Sequence, residues 1–107
     1  MPRRTRLTQS ELTQMRESCR LAASTLEMVA DHIAPGITTN AIDRLVDSFL
    51  RDHGAYPSPL NYRGFPKSVC TSINEVVCHG IPEDRALKDG DIVNVDVTCT
   101  LPAENGF

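Results

Sequence analysis

Cys70, His79 and Asp96 are the residues whose types and spacing could do chemistry. Asp96 lies in the run Ile92–Thr100, where Val93, Val95, Val97 and Cys99 alternate with Ile92, Asn94, Asp96 and Thr98. Alternation with a period of two predicts a strand with one apolar and one polar face. Aspartate is disfavoured inside strands, so its place mid-strand has two readings. One is a polar face turned to solvent. The other is a carboxylate held on a rigid element for a metal ion. His79 ends a β-rich stretch, where its plain reading is a histidine capping the end of a hairpin.

Ser68–Ile73 and Val76–Cys78 flank Asn74-Glu75, which predicts a β-hairpin over residues 68–79. A two-residue turn pairs Ile73 with Val76 and Cys70 with His79, and puts Cys70, Ser72, Val77 and His79 on one face. That register raises a cysteine hydrolase as a competing reading. Such a dyad needs an orienting third group and an oxyanion hole, and the sequence supplies neither convincingly. Cys78 falls on the opposite face, so no Cys70–Cys78 disulfide is expected. The cysteines, Cys19, Cys70, Cys78 and Cys99, form no CxxC pair, which argues against a zinc knuckle and for reduced thiols.

These groups need a scaffold. Thr8 to Glu11 is a capping box, and Leu12, Met15, Cys19, Ala22, Leu26, Val29 and Ile33 follow at alternating spacings of three and four. That stripe predicts a long helix packed on a core and ended by Pro35-Gly36. A second helix begins near Thr38–Asn40, carries Ile42, Leu45, Val46, Phe49 and Leu50, and closes at His53-Gly54. Residues 55–67 hold Pro57, Pro59, Gly64 and Pro66, so no regular structure is expected there. The rings of Tyr56, Tyr62 and Phe65 in this loop fit a pocket wall, or equally a loop pinned by its own side chains. Asn105-Gly106 is a strong hairpin signal with only Phe107 after it, so the sequence reads as cut before a return strand.

The chain of 107 residues carries a net charge of −3, which gives it no electrostatic footprint for DNA or an anionic membrane. The first twenty residues differ, with five arginines against two glutamates. That basic tail, residues 1–7, has a solvated reading and a phosphate-docking one. No apolar run is long enough for a signal peptide or a membrane span, and cytoplasmic residence is the expectation.

The stretch from Asn61 to Pro82, above all SINEVVCHGIP at 72–82, and Leu87–Thr98 with its NVDVT closely resemble type I methionine aminopeptidases. The resemblance extends to the first helix and Pro35-Gly36. It implies an α+β architecture, the N-terminal half of the pita-bread fold, with long amphipathic helices on an antiparallel-type sheet. Residues 8–54 are then the two helices, 55–67 the pocket loop, 68–79 the hairpin, and 92–107 the metal-ligand strand with a truncated hairpin.

The family removes initiator methionine from nascent polypeptides with two divalent ions, cobalt, iron, manganese or zinc, held by two aspartates, a histidine and two glutamates. Asp96 matches the first aspartate, and the remaining ligands are expected beyond Phe107, so these residues alone are expected to be inactive. His79 matches the histidine that bonds the substrate near the scissile peptide. Tyr62, Phe65 and Cys70 match residues lining the methionine pocket, where rings and a thiol suit a thioether. Two departures affect pocket shape: Phe65 replaces a frequent tyrosine, and Pro59 stands where some bacterial members have cysteine. The segment from Asp96 to Gly106 is also slightly longer than usual. The full-length protein is expected to be a monomer. The alternative is a non-catalytic relative of the same fold associated with the ribosome or nucleic acid, its arm at Arg3–Arg6 docking on RNA.

Overall fold

The computed structural model describes residues 6–107. The part of the basic tail at residues 1–5 lies outside them. Helix α1 spans Gln9–Ala30 and helix α2 spans Thr39–Asp52. Four short strands follow: β1 (Tyr56–Pro57), β2 (Cys70–Ile73), β3 (Val93–Asp96) and β4 (Cys99–Thr100). They form two antiparallel pairs, β1 with β4 and β2 with β3.

Local chemistry sets the helix starts. The Thr8 hydroxyl accepts from the Glu11 amide at 3.1 Å, while the Thr8 amide donates to the Glu11 carboxylate at 2.8 Å. Thr38 caps α2 in the same way, accepting from the Ala41 amide at 3.0 Å. His53 caps the C-terminus of α2, and Gly54 takes φ 76° just after it. Glycine enters that left-handed region without a Cβ penalty. Helix α1, by contrast, stops at Ala30 with Asp31 as its cap, short of Pro35-Gly36.

The buried face of α1 also differs from the apolar stripe. Ser18, Leu21, Thr25 and Val29 are buried, whereas Met15, Leu26 and Ile33 are exposed at 37%, 43% and 38%, with Cys19 exposed too. Two hydroxyls are tolerated inside because each is bonded. Thr25 donates back to the Leu21 carbonyl at 2.7 Å, and Ser18 donates to the Cys99 carbonyl at 3.2 Å. Helix α2 follows its pattern closely, with Ile42, Val46 and Leu50 wholly buried. They meet Val29, Val69, Ile73, Leu87 and Cys99 in one core, each large side chain contributing about 1.5–3 kcal/mol.

The hairpin expected over 68–79 does not form. The turn is there: Asn74 takes φ 50°, and the Val76 amide donates to the Ile73 carbonyl at 3.0 Å. The chain then leaves the sheet, with Val77 90% exposed. The partner of β2 is β3, in the register Cys70 to Asp96, Thr71 to Val95, Ser72 to Asn94 and Ile73 to Val93. Short-range turn signals cannot reveal a partner twenty residues on, and Val93 and Val95 of β3 pack on the core where Val76 and Val77 stay exposed. The long strand at 92–100 is also interrupted, since β3 ends at Asp96 and β4 begins at Cys99. Its alternation survives the break: Val93, Val95 and Val97 pack on the core, and Asn94, Asp96 and Thr98 face outward.

The loop at 55–67 is more ordered than its prolines imply. Tyr56 and Pro57 pair with Thr100 and Cys99, and Ser58 and Thr100 share a hydroxyl bond of 2.8 Å. At the far end, Leu101 and Phe107 exchange both backbone bonds, at 2.9 and 3.1 Å, across the turn at Asn105, φ 56°. Among the described residues no helix is long and apolar enough to cross a membrane.

Candidate active site

A cavity of about 760 Å³ opens between the loop after β1 and the β2–β3 pair. Its placement of side chains follows from backbone constraints. Ser68, just ahead of β2, is tied to α2 twice: its amide donates to Asp43 at 2.7 Å and its hydroxyl to Asp47 at 2.7 Å. Arg51 in turn donates to Asp47 at 3.0 Å. The helix therefore holds the start of β2, and β2 brings Cys70 to the cavity wall. Across the pair, Cys70 and Asp96 are register partners, so their side chains project on the same face.

His79 reaches the same cavity by a different route. It takes φ 56°, and Gly80 after it presses against β2. The Thr71 amide donates to the Gly80 carbonyl at 2.9 Å, and the Gly80 amide donates to the Ser72 hydroxyl at 3.1 Å. A Cβ on Gly80 would sit 1.9 Å from the Thr71 carbonyl oxygen, so only glycine allows this approach.

The opposite wall is the loop. Asn61, Arg63 and Gly64 have φ 66°, 48° and 81°, within a tight 3-10 turn at Tyr62–Gly64. The Asn61 amide donates to the Phe65 carbonyl at 2.8 Å and the Phe65 amide to the Tyr62 carbonyl at 2.9 Å. Tyr62 and Phe65 thereby line the cavity with Pro59 and Pro66. Tyr62, Phe65, Cys70, His79 and Asp96, the residues singled out in the sequence, all border this one space. Sequence reasoning did not single out Arg63, Ile81 or Thr98, which border it too. Thr98 shares the outward face of Asp96 in the alternation, and that was its available signal. Asp43 and Asp47 carried none, because their partner Ser68 is more than twenty residues away.

The chemistry of these groups separates the readings. Burial, then the Asp96 carboxylate, then Cys78 push the Cys70 thiol up from its usual value of 9.0. An activated nucleophile needs the opposite, and among the described residues no hydrogen bond joins Cys70 to His79. The dyad reading fails on both counts, along with the hairpin register that suggested it. Asp96 is exposed to the cavity, and no hydrogen bond or ion pair among the described residues engages its carboxylate. It is an oxygen donor with open coordination. A divalent ion needs more, and nowhere among the described residues do three metal-ligating side chains converge. The described residues by themselves build no ion site.

Two antiparallel strand pairs backed by two helices make this an α+β protein, and its solved neighbours share the pita-bread fold. The model of metallopeptidase family M24 matches residues 13–104, and the chain belongs to that family. It is 55% identical over 94 residues to a methionine aminopeptidase of Rickettsia prowazekii, covering 88% of this chain and 36% of that protein. It is 57% identical over 91 residues to methionine aminopeptidase 1A of Arabidopsis thaliana, covering 85% of this chain and 23% of that one. The crystal structure of the Rickettsia prowazekii methionine aminopeptidase superposes with a TM-score of 0.89 at 54% identity, over 91% of this chain and 39% of that chain. The chain thus spans roughly a quarter to two fifths of the length of these relatives. Family membership implies dependence on a divalent metal ion.

Proposed function

We propose that this protein removes the N-terminal methionine from nascent polypeptides by metal-assisted peptide hydrolysis. The observation that carries the reading is the convergence of His79 and Asp96 on a cavity walled by Tyr62, Phe65 and Cys70. The rings and thiol are soft, apolar partners for a thioether. His79, fixed at the cavity edge by Gly80, is placed to hydrogen-bond the peptide beside the scissile bond and to pass a proton. Asp96 is the ligand this chain gives to a pair of divalent ions, cobalt, iron, manganese or zinc. The working protein on this reading is a cytoplasmic monomer. Docking to the ribosome through the basic arm gains no support from the structure, since Arg3 and Arg4 lie outside the described residues.

A chimera tests the proposal. Residues 6–107 replace the matched segment of the Rickettsia prowazekii relative, and methionine release from Met-Ala-Ser is measured with cobalt or manganese. The chimera should be active, the 107-residue chain alone inactive, and H79A and D96N each slower by at least about 100-fold. Undiminished turnover by D96N would overturn the assignment.

A further inference from the structure

Among the described residues lining the cavity, Arg63 is the one fixed cation, and Asp96, on another element, is the one carboxylate. Arg63 has no acidic partner: the ion pair found among the described residues is that of Arg51 with Asp47. Its guanidinium lies 5.4 Å from the centroid of the Tyr62 ring, which restrains it while leaving its donors free. Its backbone is held at φ 48°, between Asn61 at 66° and Gly64 at 81°. A non-glycine residue in that region carries strain, and such strain collects at ligand clamps. The cavity therefore has a positive rim at Arg63, on a different element from the Asp96 wall assigned to the metal ions. A peptide whose amino end lies toward Asp96 complements that rim when a negative group follows downstream.

We infer that Arg63 is a specificity residue that favours methionine peptides carrying a carboxylate downstream of the methionine. The inference rests on the proposed methionine-peptide reading of the cavity. The carboxylate has two sources, an acidic side chain or the free C-terminus of a short peptide, and one assay separates them. The metal-loaded chimera is assayed for methionine release from Met-Ala-Gln amide, Met-Ala-Glu amide and Met-Ala-Gln free acid.

Met-Ala-Glu amide, the free acid or both should be cleaved with a kcat/KM about two- to fivefold higher than that of Met-Ala-Gln amide. The difference should vanish in R63Q, persist in R63K and shrink in high salt. Preference for the glutamate peptide alone assigns the side chain, and preference for the free acid alone assigns the terminus. Equal kcat/KM for all three peptides, or a preference that survives in R63Q, overturns the inference and leaves the methionine pocket standing. No release from any of the three peptides overturns both.

Discussion

Cys70 and Asp96 face each other as register partners across β2 and β3, and both side chains border the cavity. A thiol and a carboxylate placed this way disfavour the thiolate. Burial is the larger cause of the raised Cys70 value, with Asp96 second.

Alkylation should follow from that. Cys19 and Cys78 are exposed and Cys70 and Cys99 buried, so iodoacetamide at neutral pH should label the first pair well before Cys70. Peptide mapping by mass spectrometry reads the order. Because the folded value lies above the unfolded one, this thiol supports the fold below about pH 9 and withdraws that support as pH climbs through the folded value. Denaturant melts should therefore show stability declining above about pH 9, and less so in C70A.

The tie at the other end of the same strand pair should depend on acid. Asn74 donates to Asp91 at 3.0 Å and accepts from the Ile92 amide at 3.0 Å. The Asn74 bond, then the Lys88 amide, hold the Asp91 carboxyl below its usual 3.8. A lowered carboxyl supports the fold above its unfolded value and ceases to do so as pH falls through the folded one. N74A should raise the Asp91 value, seen by carboxyl-carbon NMR titration. It should also lower stability at neutral pH, since hydrogen bonds and a left-handed turn residue are lost together.

Gly80 should resist substitution. A methyl group there meets the Thr71 carbonyl at 1.9 Å, so G80A must push the chain off β2. A loss of about 1–3 kcal/mol is expected, with the His79 ring resonances shifted in the NMR spectrum. Unchanged stability and unchanged His79 signals would show that the close approach is not required.

The rotation of α1 is testable by a paired comparison. L21A should destabilise the chain by about 2–5 kcal/mol, whereas L26Q should stay within about 0.5 kcal/mol. Thermal melts of the two variants decide which face of the helix is packed.

What the sequence made legible was local. Thr8, Thr38 and Gly54 declare helix ends because their partners lie within a turn, and the alternation from Val93 to Cys99 follows from chain geometry alone. The face of α1 was misjudged because Ser18 and Thr25 are polar by type yet satisfied by bonds, one of them to Cys99, 81 positions away. The false hairpin had the same origin. Asn74 makes the turn, but the stronger pairing surface belongs to β3, and no short-range pattern ranks the two. Tyr62, Phe65, Cys70, His79 and Asp96 could be named from motif text, while Arg63 and the carboxylates that steady Ser68 needed coordinates.

The bond between Ser18 and Cys99 sets the order of events during synthesis. The first helix leaves the ribosome long before the strand that covers it, and at about 5–20 residues per second the gap is roughly 4–16 s. Throughout that interval the helix can pack on α2 but not on β4, so only its Ser18 end must wait.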